Sequence, residues 1–241
     1  MTPPIMVLHE IGDGGGGAPW REALAEWPGA VAAPDLPGHG VAAPPVDGNY
    51  TNTMVLLSAV DALPAPEESA PGESAPAESA PGESVLEESV LAGRPVVVGV
   101  GTSGWTATVV ALAGAARALV LVDGMGGPWL DAADAVGAGV DWLRTVAADE
   151  AAVAPIPPDG PDPRLAHGLL GVTSRATVEA ALTALKVPLL VLSSPSDPLS
   201  AAERDDVLQA AAAGATAGSV PDRAAASVAA PLLAWAAATR H

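Results

Sequence analysis

Short runs of aliphatic and β-branched residues alternate with alanine-rich stretches along most of this chain. Ile5 to Leu8, Ala30 to Ala33, Pro95 to Val100, Ala118 to Val122 and Pro188 to Leu192 predict strands, and Ala215 to Val220 predicts a weaker one. Helices are predicted over Pro19 to Trp27, Thr51 to Leu63, Gly104 to Ala116, Asp131 to Ala148, Ala176 to Leu185, Ala201 to Ala213 and Arg223 to Thr239. Val96-Val97-Val98 is apolar at every position, so such a strand has both faces buried, which requires helices on both sides of the sheet. The predicted fold class is therefore α/β, a mainly parallel sheet flanked by helices.

Two segments break the alternation. From Glu68 to Leu91 the sequence repeats Glu-Ser-Ala-Pro with a period of five, placing Glu68, Glu73, Glu78, Glu83 and Glu88 in register. Proline stops a helix from propagating there and little apolar surface is available to bury, so residues 67–91 read as a solvated low-complexity insert. Residues 126–186 combine helical patterns with the proline-rich stretch Pro155 to Pro163 and lack a convincing strand, which predicts a small helical cap above the sheet. The whole chain, 1–241, is expected to be one domain.

With 28 Asp+Glu against 10 Lys+Arg, the net charge of -18 repels nucleic acid and anionic membrane surfaces. Cysteine is absent, which removes disulfides, thiolate metal sites and a cysteine nucleophile together. No apolar run reaches the length of a membrane span, and the start has no secretory pattern, so a cytoplasmic location is expected. The histidines are His9, His39, His167 and His241, too scattered for a metal site, and no cofactor is expected.

Read in order, several landmarks resemble the α/β-hydrolase superfamily, particularly its small single-domain bacterial members. Val7-Leu8-His9-Glu10-Ile11-Gly12 is similar to the strand and His-Gly oxyanion loop, with Glu10 where the family usually has glycine. Ala33-Pro34-Asp35-Leu36-Pro37-Gly38-His39-Gly40 resembles the family's Asp-x-Pro-Gly-His-Gly turn. Arg94 to Gly99, the small-residue turn after it and Trp105-Thr106-Ala107 resemble the strand, nucleophile elbow and first helical turn. Val187 to Leu192 with Ser196-Asp197-Pro198-Leu199 resembles the strand and acid loop, which makes Asp197 the family acid or an ordinary turn residue.

The resemblance implies a serine triad, and here the pattern departs from it. The elbow needs Gly-x-Ser-x-Gly because the serine occupies a strained turn between strand and helix. Across Gly99-Val100-Gly101-Thr102-Ser103-Gly104-Trp105, three alignments put Gly101, Thr102 or Ser103 at the nucleophile position. Thr102 and Ser103 also suit a helix N-cap. After the last strand, where the family carries histidine, this chain has Val220-Pro221-Asp222-Arg223-Ala224-Ala225-Ala226. A serine hydroxyl with no base beside it is a weak nucleophile.

Two functions follow as expectations. In one, the protein binds a small apolar molecule in the hydrolase pocket without hydrolysing it, templating a cyclisation or elimination or doing no chemistry, with Gly101 enlarging the space a serine would take. In the other, it is a small ester or acyl hydrolase in which Ser103 attacks, Asp197 assists and His39 or His167 supplies the base. Pocket residues expected in either case are His9, Ile11, Gly101, Thr102, Trp105 and Trp129. A third reading comes from Gly12 to Gly17, which fits Gly-x-Gly-x-x-Gly and is followed by a helix and then Asp35, the pattern of a dinucleotide site.

Overall fold

The computed structural model describes residues 3–10, 12–13, 15–44, 57–58, 61–62, 93–124, 175–197, 199, 201–210 and 215–238. Among the described residues, six strands form one sheet: β1 (Ile5–Leu8), β2 (Val31–Ala32), β3 (Val96–Val100), β4 (Ala118–Val122), β5 (Leu189–Ser193) and β6 (Ala215–Ser219). Their order is β2-β1-β3-β4-β5-β6 and every pairing is parallel. The helices are α1 (Ala18–Ala23), α2 (Gly104–Leu112), α3 (Arg175–Ala184), α4 (Ala201–Ala210) and α5 (Ala225–Ala238), and a single 3-10 turn, Gly101–Ser103, joins β3 to α2.

The period of two along each strand divides the core into two layers. Met6, Leu8, Val97, Leu119, Leu121, Leu189 and Val191 pack with Ala107, Val110 and Ala111 of α2 and Val178 and Leu182 of α3. Ile5, Val7, Val96, Val98, Val100, Val120, Val122, Leu190 and Leu192 face the other way, toward Trp20 of α1 and Val228 and Leu232 of α5. β1, β3, β4 and β5 are buried along their whole length, and nearly all of their residues are apolar because both of their faces are covered, as expected for a parallel sheet. β6 has the burial pattern of an edge strand, with Thr216, Ala217 and Ser219 open.

Within the segment 126–186, the described helix α3 packs on α2 with Val178 and Leu182 fully buried. Residues 126–174 lie outside the described residues, as do the insert 67–91, the helix predicted over Asp131 to Ala148 and most of the helix predicted over Thr51 to Leu63. Among the described residues, no helix is long and apolar enough to cross a membrane.

The order of strands has one consequence for function. From β1 the chain moves outward to β2, then returns to the other side of β1 as β3 and continues outward through β6. The connections from β1 and β3 therefore diverge, opening a crevice beyond their carboxyl ends, the place where open α/β sheets bind ligands.

Candidate functional site

His9 and Glu10 leave β1 into this crevice, and Gly101, Thr102 and Ser103 leave β3 beside them. Gly101 has φ +53°, a conformation that side chains rarely adopt, and it stands at the bend from strand to helix. A nucleophile elbow is likewise a strained turn between strand and helix. Gly99 permits the sharp bend from the inside. A Cβ there would lie 2.7 Å from both Ala107 Cβ and Gly104 Cα, so only a bare Cα lets α2 come this close to β3.

The space ahead of Gly101 is filled from the neighbouring strand. A Cβ built on Gly101 would overlap Glu10 Oε2, so the expected enlargement of the pocket at Gly101 is corrected: a carboxylate takes the room a nucleophile's side chain would need. Glu10 Oε1 accepts the Thr102 hydroxyl at 2.7 Å and the Thr102 backbone N–H at 3.3 Å, while Oε2 meets Arg223 Nη1 at 3.2 Å. Glu10 is 7 % exposed, and this burial raises its carboxyl above the usual range against the opposing pull of Arg223 and Thr102. Arg223 lies between β6 and α5, in the loop where the sequence pattern leads one to look for histidine.

A second layer of hydrogen bonds holds the two loops that frame the crevice. His9 donates from Nδ1 to the Glu10 carbonyl and accepts the Leu36 N–H at Nε2. His39 donates from Nδ1 to the Pro37 carbonyl and accepts the Gly12 N–H at Nε2. The rings meet edge to face with centroids 4.8 Å apart. Both are buried, and burial lowers both pKa values, that of His39 to about 4. They are neutral struts with both nitrogens committed to backbone. His9, fully buried, positions Glu10; His39 has no ring nitrogen to spare as the displaced base of the hydrolase alternative.

Asp35 ties the loops together from below. Its carboxylate accepts Gly17 N–H at 2.8 Å and Val41 N–H at 2.9 Å and faces Arg21 at 3.9 Å. Burial alone would raise Asp35, but the two amides and the guanidinium outweigh it and hold the carboxyl below its usual range. The same network engages the glycine run of Gly12 to Gly17. Gly12 N–H is given to His39, Gly15 N–H to Asp13 Oδ1, Gly16 N–H to the Asp13 carbonyl and Gly17 N–H to Asp35. The described amides that would cradle a pyrophosphate and the carboxylate that would take a ribose hydroxyl all serve the fold.

The remaining expected residues fall in several places. Ser103 is 1 % exposed and its hydroxyl donates to the His9 carbonyl at 2.6 Å, so it fastens the elbow to β1. Asp197 follows β5; its Oδ1 accepts the Leu199 N–H at 2.9 Å in a turn, its Oδ2 lies 3.8 Å from Arg204 Nε, and burial raises its carboxyl. Asp123, after β4, has φ 47° and takes both the backbone N–H and the hydroxyl of Ser194, bracing the exits of β4 and β5. Trp105 on α2 packs half-buried against the core layer on its own side of the sheet. Ile11, Trp129 and His167 lie outside the described residues. Among those described, no group of three or more His, Cys, Asp and Glu side chains is arranged to hold a metal ion.

The ion pair of Glu10 and Arg223 is the contact at this edge that the sequence alone did not disclose. The signal for Glu10 was present, a charged residue in a loop where the family pattern has glycine. Its meeting with Arg223 spans 213 residues and belongs to the tertiary structure alone.

No family model matches the sequence, and no curated protein is significantly similar to it. Solved structures do match over nearly all of the chain. A thioesterase domain from the curacin biosynthetic pathway is 15% identical with a TM-score of 0.61, covering 98% of this chain and 91% of that one. An alpha/beta hydrolase from Sphaerobacter thermophilus is 17% identical with a TM-score of 0.54, covering 97% and 93%. NosK from Streptomyces actuosus is 18% identical with a TM-score of 0.52, covering 99% and 96%. The parallel sheet, its switch in strand order and the strained bend after β3 agree with these likenesses: the chain carries the α/β-hydrolase fold.

Proposed function

We propose that this protein binds a small, largely apolar molecule at the carboxyl edge of its sheet and does not hydrolyse it. The observation that supports this most is the internal carboxylate at Gly101. Acyl transfer on this fold needs a hydroxyl at the strained bend and a free N–H on the residue after it to receive the developing oxyanion. Here the bend is glycine and the following amide, that of Thr102, is given to Glu10 Oε1. A resident anion stands where the reaction would have to create one.

The hydrolytic alternative is best supported through Thr102, whose hydroxyl donates to a carboxylate, a pairing of nucleophile and base. Ser103 supports it less, since its hydroxyl is buried and bonded to main chain. A fluorophosphonate probe and a p-nitrophenyl butyrate assay test the choice. The expected result is no labelling and no turnover above buffer, together with saturable binding of members of a neutral small-molecule panel in ligand-observed NMR. Stoichiometric labelling that disappears in Thr102→Val or Ser103→Ala overturns the non-hydrolytic reading and names the nucleophile.

A further inference from the structure

We propose that Glu10 is a proton-transfer group for a bound carbonyl compound, with Arg223 stabilising the enolate that forms. The inference rests on the small-molecule reading above and deepens it by naming the chemistry and the ligand class. Three features carry it. Glu10 Oε2 packs against the bare Cα of Gly101 at the bend after β3, which puts a buried carboxylate at the carboxyl edge of the sheet, where open α/β sheets bind ligands. Oε1 is held by two donors from Thr102, which fixes the carboxylate plane and leaves Oε2 as the oxygen turned to Arg223. The Arg223 side chain is 41% exposed, so a guanidinium with five N–H donors reaches from Glu10 to the solvent side of the site.

The step balances without a further reactant. Glu10 Oε2 takes a proton from the carbon beside the ligand's carbonyl. The C–H electron pair becomes a C=C bond, and the carbonyl π pair moves to oxygen, giving an enolate whose charge faces Arg223. Return of the proton to the same carbon exchanges it, and delivery to a neighbouring position isomerises the ligand. The raised pKa of Glu10 suits the task, since a carboxylate that holds its proton more tightly is a stronger base.

Incubation in D2O with 2-butanone, acetophenone or cyclohexanone from the neutral panel, followed by proton NMR, tests the inference, with saturation-transfer NMR on the same samples reporting binding. The expected result is exchange beside the carbonyl above the buffer rate, lowered about a hundredfold in Glu10→Gln. In Glu10→Gly, added formate is expected to restore part of the rate. Arg223 holds the Glu10 carboxyl down, so in Arg223→Met the pH midpoint of exchange is expected to rise. Binding without exchange, exchange that survives Glu10→Gln, or an unmoved midpoint in Arg223→Met overturns the inference while leaving the small-molecule reading intact. Absence of binding by any panel member overturns both.

Discussion

At the scale of single residues, Gly101 and Glu10 form one unit. A side chain at Gly101 faces two penalties: a left-handed backbone, at roughly 1–2 kcal/mol, and collision with Glu10 Oε2, an overpacking cost of about 1–3 kcal/mol. Gly101→Ala is therefore expected to destabilise the protein by roughly 2–5 kcal/mol in urea unfolding. In a Glu10→Gly background the collision is gone and only the backbone penalty remains, so the double-mutant cycle should show a coupling of about 1–3 kcal/mol. Additive losses would mean that the carboxylate moves aside without cost. The pair also marks how far this site was legible. The departure from the serine-elbow pattern and the lack of histidine in Val220 to Ala226 were readable from local sequence, because each concerns a residue type at a position in a motif. The occupant of the space at Gly101 was not, because Glu10 and Gly101 meet only after β1 and β3 pair in register.

At the scale of elements, the junction of β3 and α2 is a tight joint that bears on the site. Gly99 pairs with Leu8 across the sheet, while its missing side chain admits Ala107 and Gly104. Gly99→Val would push α2 outward and carry the Gly101–Ser103 turn with it. The expected loss is about 1–3 kcal/mol of stability by urea unfolding, with weakened ligand binding in the same variant. An unchanged midpoint would show that the joint is looser than its geometry implies. The interior strands were readable because burial on both faces leaves them without polar positions. β6 was the weak case for the same physical reason: Ala215-Thr216-Ala217-Gly218-Ser219 lies at the edge, where one side is open and hydrophobicity no longer reports the strand. α1 was read too long, since after Ala23 the chain turns through Leu24 and Trp27, which are buried as anchors of a loop. The glycine run misled most. Its pattern matched a phosphate cradle, whereas His39 and Asp35, distant in sequence, take the amides of Gly12 and Gly17, and Asp13 takes those of Gly15 and Gly16.

At the scale of the whole molecule, stability should respond to acid through opposing groups. His39 has a folded pKa of about 4 against an unfolded value near 6.5, so below pH 6.5 the unfolded chain takes up a proton that the native state refuses. Stability is then lost as pH falls from about 6.5 to 4, by on the order of 3 kcal/mol, and His9, lowered in the same direction, adds to it. Glu10 works the other way. Its folded pKa is raised, so the native state holds a proton the unfolded chain has released, and Glu10 removes stability as pH climbs through that range. Glu10→Gln deletes this opposing contribution. Urea unfolding at pH 4.5, 5.5 and 6.5 is therefore expected to show a steeper rise of stability with pH in Glu10→Gln than in the wild type. Parallel profiles would mean that Glu10 titrates in the folded protein as it does in the unfolded chain, and that burial beside Arg223 leaves its affinity for a proton unchanged.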